Sequence, residues 1–308
     1  MTRIGIVPML VFTRYGYRPS HVCAFPESNA SVKGDGWKVK KGKVSGMARA
    51  IETLPSMVLA NGRSVAENLE QAAESGALVR RADGRLELAD FVSHPGKPSR
   101  LDPFIKDGPQ GTFPPCAFLN HFLFRQAYGE TAVPFGCRDC YKVKVVSRSM
   151  RQLMAVRDIV KSLPCASKSG PEVDNPQNSS PYGTYLYLTG LGVAQAYYRK
   201  VREKIDQHSS LGPDTKMLVK RGCSNYEHRC GPSDKYTFDP RLEPLEATLA
   251  TWFVAPVLRF TREIRNALAL AQMTRTAYRI GDETYKDFNG GRDLVQPTVN
   301  YAPGPEVE

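Results

Sequence analysis

The sequence predicts an α+β protein, with mixed helices and short strands around a cysteine-ligated metal centre and a helical C-terminal segment. Segments with apolar residues at helical spacing alternate along the chain with short runs of strand character. Six of the seven cysteines fall between positions 116 and 230. At 308 residues and 41% hydrophobic, with 24% charged, the chain can bury a core and is neither fibrous nor disordered in composition. A length-based prior of roughly 150 residues per domain suggests about two domains. Composition divides the chain into an N-terminal α+β domain (1–110), a cysteine-rich metal-binding domain (111–240), and a helical segment with an extended Pro/Gly-rich tail (241–308).

In chain order, residues 2–12 are rich in Ile, Val, Leu and Phe and read as a buried strand. Residues 33–49 form a basic, Gly-rich stretch around Trp37. Its Gly34-Asp35-Gly36 lacks the third glycine of a dinucleotide loop, and no Gly-Lys-Ser/Thr follows. Ser64 with Glu67 three residues on is a capping box for a helix that Gly76 ends. Asp83-Gly84 then predicts a hairpin between 78–81 and 85–88. Helix followed by a basic hairpin over 64–92 has a winged-helix-like outline, shared with many small α+β units. Six prolines and three glycines in 93–115 predict a linker.

Cys116 to Phe124 reads as helix, and Pro134-Phe135-Gly136 as a turn presenting Cys137-Arg138-Asp139-Cys140. Tyr141 to Val146 alternates Tyr/Lys/Val/Lys/Val, predicting a half-exposed strand. Ser147 or Ser149 caps a helix through Leu163, with Met150, Leu153, Met154 and Val160 as core positions. After Pro164 a loop of about 20 residues is expected up to Tyr182. A helix over 193–207 and a strand over 216–221 follow, the latter delivering Cys223 into a turn-rich segment at 222–232. Residues 245–279 read as helical, broken or kinked near Pro256.

Cys137-x-x-Cys140 carries the firmest chemistry: two intervening residues let a tight turn aim both sulfurs at one metal. A thioredoxin-type redox pair would open a helix at a strand end, whereas this pair precedes an alternating strand. Cys165, just past a Pro-stopped helix, and Cys223, at a strand exit, are the expected remaining ligands, with Cys116 or Cys230 able to replace one of them. His121 and His228 are further candidates, and Cys23 is expected to be structural. Structural zinc mostly uses two short-spaced pairs, whereas dispersed single cysteines suit an iron–sulfur cluster held by four thiolates. The expectation is therefore a soluble metalloprotein with an iron–sulfur cluster, [4Fe–4S] in type, in a structural or redox role. The alternative is a zinc-stabilised basic protein that binds nucleic acid or serves assembly without catalysis.

Charge is uneven. Residues 1–110 carry 16 Lys/Arg against 11 Asp/Glu, 111–240 carry 18 against 11, and 241–308 carry 8 against 9. The basic middle segment could meet nucleic acid or another polyanion, with Trp37, the 78–88 hairpin and the 141–146 strand touching phosphates. It is equally what a solvated face needs, and it suits the negative charge of a thiolate-bound cluster. A third expectation, an enzyme on a phosphorylated or acidic small molecule, rests on charge and the 164–184 loop. There is no Gly-x-Ser-x-Gly or His-Glu-x-x-His. No apolar run reaches the roughly 18 residues of a membrane helix, and Thr13 to Arg18 breaks the faint signal-like start, so a cytoplasmic protein is expected.

Overall fold

A computed structural model describes residues 57–91, 102–109, 111–175, 178–256, 260–294, 299 and 301. The expected strand at 2–12, the stretch around Trp37 and Cys23 lie outside the described residues, as does much of the tail.

Helix α1 (Val65–Glu74) starts where the sequence marks it. The Ser64 side chain accepts the Glu67 amide while the Glu67 carboxylate accepts the Ser64 amide, satisfying two donors at the helix start. Strands β1 (Leu78–Arg80) and β2 (Leu86–Leu88) form the antiparallel hairpin across Asp83-Gly84. Next come β3 (Ile105–Asp107), a π-type helix α2 (Ala117–Ala127), β4 (Cys140–Ser147), α3 (Met150–Val160), β5 (Ala166–Pro171), β6 (Tyr182–Thr189) and α4 (Leu191–Asp206). The chain continues through β7 (Met217–Arg221), α5 (Ser224–Cys230), α6 (Leu242–Trp252) and α7 (Arg262–Arg279).

The main sheet has the order β3-β5-β6-β4-β7, with every neighbour antiparallel. Within it, β4-α3-β5-β6-α4-β7 follows the split β-α-β path called ferredoxin-like, with β3 added at the β5 edge. That name describes a chain path and says nothing of a cofactor. Helices α3 and α4 cover one face, burying Val143, Val145, Leu186 and Leu188 against Val156, Val160, Val201 and Ile205.

Side chains alternate across a strand, so the opposite face takes the other register positions. Lys142 pairs with both Tyr187 and Lys220, Lys144 with Tyr185, and Tyr185 with Lys168. The chain before α2 lies over part of this face. Phe104 sits 4.0 Å from the Lys168 ammonium, and the Phe113 ring packs edge-on against Tyr187 at 5.8 Å. Gly170 lacks a side chain where Phe104 crosses, since a Cβ there would lie 2.6 Å from the Phe104 ring.

Several expectations need correction. The strand from Cys140 is not half-exposed: Lys142 and Lys144 are each only 6% exposed, because a second layer covers the face that alternation assigned to water. Part of the long loop expected after Pro164 is β5, a central strand paired with β6 over six positions. The turn-rich segment after Cys223 holds α5, whereas the helical stretch is broken near Pro256 as expected. The expected linker contains β3.

The cores run across both expected domain boundaries. One joins α1, the hairpin, α2, Tyr226 of α5 and α6. Another sets α7 against Ile105, Met150 and Tyr182.

Candidate metal centre

Three distant stretches of the chain bring four cysteines to one cavity of about 30 Å³. Cys116 arrives as the residue capping α2, after Pro114 and Pro115. Cys137 ends the short 3-10 turn Phe135–Cys137, and Cys140 opens β4. Cys223 follows β7 and caps α5. Leu119, Tyr187, Leu188 and Tyr226 supply most of the remaining wall.

Backbone pairing fixes this convergence. The β4–β7 register aligns Tyr141 with Arg221, so Cys140 and Gly222 come next to each other, and the Gly222 amide donates to the Cys140 carbonyl at 2.8 Å. Gly222 takes a positive φ of 62°, a conformation open to glycine, and turns the chain so that Cys223 follows immediately. On the other side of β4, the Gly190 amide donates to the Asp139 carbonyl at 2.8 Å. The CxxC turn is thus held against both sheet neighbours of β4.

Glu246 of α6 braces the same turn from below. Its carboxylate accepts the Phe135 amide at 2.6 Å and the Gly136 amide at 3.0 Å, and the Tyr128 hydroxyl donates to it at 2.9 Å. Burial raises the Glu246 pKa above the ordinary carboxylate value, partly offset by those donors.

Electrostatics separate the four thiols. Cys137 is pushed well up by burial and by the neighbouring Cys140, Cys223 and Cys116, although the Tyr226 hydroxyl at 3.6 Å favours its thiolate. Cys116 is likewise raised by burial and by Cys223. At Cys223 burial also acts upward, yet the Lys142 ammonium, 3.2 Å from its sulfur, overrides it with help from Lys168 and Lys220, and the net shift is downward. Lys142 is buried against the Tyr187 ring at 5.2 Å. Lys168 lies between the Phe104 and Tyr185 rings. Among the described residues neither ammonium has a carboxylate at ion-pair distance, although buried charges are ordinarily paired.

Of the ligands expected from sequence, Cys137, Cys140 and Cys223 meet at this cavity and Cys165 does not line it. The Cys165 side chain packs on the helix-covered face of the sheet, among Val160, Leu163 and Ile205, as the register of β5 dictates. Cys116 lines the cavity in its stead. Cys230 lies at the edge of the first core, its thiol 3.7 Å from the Glu130 carbonyl, and neither His121 nor His228 lines the cavity. Among the described residues, no three His, Cys, Asp or Glu side chains converge closely enough to hold a single metal ion.

Lys142 and Lys144, expected to touch phosphates, instead face inward. Lys144 is engaged by Glu172 at 2.7 Å and by Asn178. Among the described residues no helix is long and apolar enough to cross a membrane. No protein-family model, no curated protein and no solved structure matches the chain.

Proposed function

We propose that the protein carries a [4Fe–4S] cluster held by Cys116, Cys137, Cys140 and Cys223. The carrying observation is that four cysteines line one cavity beside the buried Lys142, which among the described residues has no carboxylate at ion-pair distance. Four thiolates are the usual ligand set of such a cluster. Its net negative charge would supply the counter-charge for Lys142 and Lys168. Burying the Lys142 ammonium beside a thiol cavity is costly unless the cavity holds an anion.

The spacing of the candidate ligands favours a cluster over one zinc ion. Tetrahedral Zn–S bonds of about 2.3 Å bring sulfurs to about 3.8 Å from one another, leaving no room between them. Among the described residues, no three His, Cys, Asp or Glu side chains converge in that way. The reading as a zinc-stabilised nucleic-acid binder also loses its main contact strand, because Lys142 and Lys144 are turned inward.

Anaerobic purification or reconstitution with iron and sulfide tests the proposal. The expected result is about four irons and four acid-labile sulfides per chain, with broad absorption near ~400 nm. Replacing any one of the four cysteines by Ser should abolish or sharply reduce the signal, because a neutral hydroxyl is a poor iron ligand. A colourless protein with about one zinc per chain would overturn the cluster in favour of zinc.

A further inference from the structure

The paired lysines bear on what such a cluster would do. We infer that Lys142 and Lys168 make the site a redox centre, their two fixed charges raising its reduction potential. The inference rests on the cluster reading above.

The geometry carries it in three steps. Lys142 reaches across the sheet from β4 to Cys223, two residues past the end of β7, and its ammonium donates to the Cys223 sulfur at 3.2 Å. A hydrogen bond from a charged donor to a ligating sulfur favours the state with more negative charge on that sulfur. Lys168 sits on β5 on the same face, one strand beyond Tyr187 and Tyr185, where it adds positive potential from further away. Lys142 is buried and Lys168 is half-buried under the Phe104 ring, so water damps the effect of Lys142 on the cavity least.

A purely structural cluster needs its thiolates neutralised in one state only. A cluster that accepts an electron gains one further negative charge, and charges fixed beforehand lower the cost of accepting it. The arrangement also has an outlet. Asp139 lines the cavity and is itself exposed, so the site lies one residue from solvent and within reach of a one-electron partner. In the reduction, one electron passes from an external one-electron donor to the cluster irons. No bond forms or breaks, and both lysines stay protonated throughout.

The experiment uses the reconstituted full chain and its Lys142→Met, Lys142→Gln and Lys168→Met variants. Iron and sulfide are counted first. Potentials are then measured by titration with dithionite, followed by absorbance bleaching and electron paramagnetic resonance. The wild type should reduce reversibly by one electron. Every variant that retains the cluster should titrate at a lower potential, with Lys142→Met shifted more than Lys168→Met. Gln keeps an N–H donor without the charge, so Lys142→Gln should fall between Met and wild type. Loss of the cluster from both Lys142 variants would leave the decision to Lys168→Met, where an unchanged potential overturns the inference. It is also overturned if the wild-type cluster resists reduction, or if cluster-loaded variants titrate like the wild type. A wild-type chain without iron and sulfide is a separate failure, that of the cluster reading itself.

Discussion

Glu246 reaches back 110 residues along the chain to accept the Gly136 amide at 3.0 Å, directly beside the first cysteine of the CxxC turn. The same carboxylate holds the Phe135 amide and the Tyr128 hydroxyl, so one side chain of α6 fixes three donors of the middle segment. Glu246→Ala should strand buried amides at about 1–3 kcal/mol each and loosen the turn. Urea denaturation should report the lost stability, and the iron retained after gel filtration should fall in parallel.

The same group gives a pH signature. Burial, the largest influence, raises the Glu246 pKa above its ordinary 4.5. Relative to the non-titrating Glu246→Gln variant, its contribution is therefore complete below 4.5 and is lost as pH rises through the higher folded-state value. The stability gap between wild type and Glu246→Gln, followed from pH 4.5 to 8 on metal-free protein, should narrow with rising pH. A gap that widens would contradict the assignment.

Cys165 and Cys116 exchange the roles that sequence alone suggests. Cys165 lies in the helix-covered core, where burial pushes its thiol up to about 11. Cys165→Ser should leave iron content unchanged while costing about 1–3 kcal/mol for a buried hydroxyl. Cys116→Ser should lose the cluster with a smaller core penalty, since its side chain faces the cavity. Iron assays on the two variants, paired with melting curves, decide between the ligand sets.

What sequence could show here is what is local. The Ser64/Glu67 box, the Asp83-Gly84 hairpin, the Ser149 cap and the strand leading to Cys223 all depend on near neighbours, and each is found. Strand β5 escaped because Ala-Ser-Lys-Ser-Gly-Pro has weak strand preference, and its place comes from pairing with β6 on one side and β3 on the other. In sequence Cys116 is only a substitute ligand, since its place at the cavity depends on how the chain carrying Phe113 crosses the sheet. The lysines of β4 alternate as solvated lysines would. No period within a strand reveals that Phe104 and Phe113, from a Pro/Gly-rich stretch read as linker, lie against that face.

The second buried lysine behaves differently from Lys142 because it has a carboxylate. Lys144 and Glu172 lie 2.7 Å apart, with side chains 7% and 5% exposed, and the Tyr185 hydroxyl donates to the same carboxylate. Lys144→Ala should cost about 3–5 kcal/mol, because it leaves Glu172 buried without its counter-charge. The double variant Lys144→Met with Glu172→Met should recover much of that loss by removing both charges together. Chemical denaturation of the two variants measures it, and a double variant no better than the single would show that the pair is not the source of the cost.

Gly108 shows how the covering segment is pinned to the sheet. It follows β3 with φ of 118°, a region L-residues rarely adopt, and a Cβ there would lie 2.4 Å from the Cys165 carbonyl oxygen. Arg262 of α7 donates to the Gly108 carbonyl at 2.6 Å, tying the same point to the third core. Gly108→Ala must therefore either strain the backbone, at about 1–3 kcal/mol, or lift β3 away from β5. Lifting β3 would disturb the chain that leads through Pro114 and Pro115 to Cys116, so the reconstituted variant should release iron faster to a chelator than wild type. Gly62→Ala provides the comparison, since its φ of 77° is strained in a similar way but a Cβ there meets no atom within 4 Å. Chelation rates that match between Gly108→Ala and Gly62→Ala would show that β3 does not support the cysteine site.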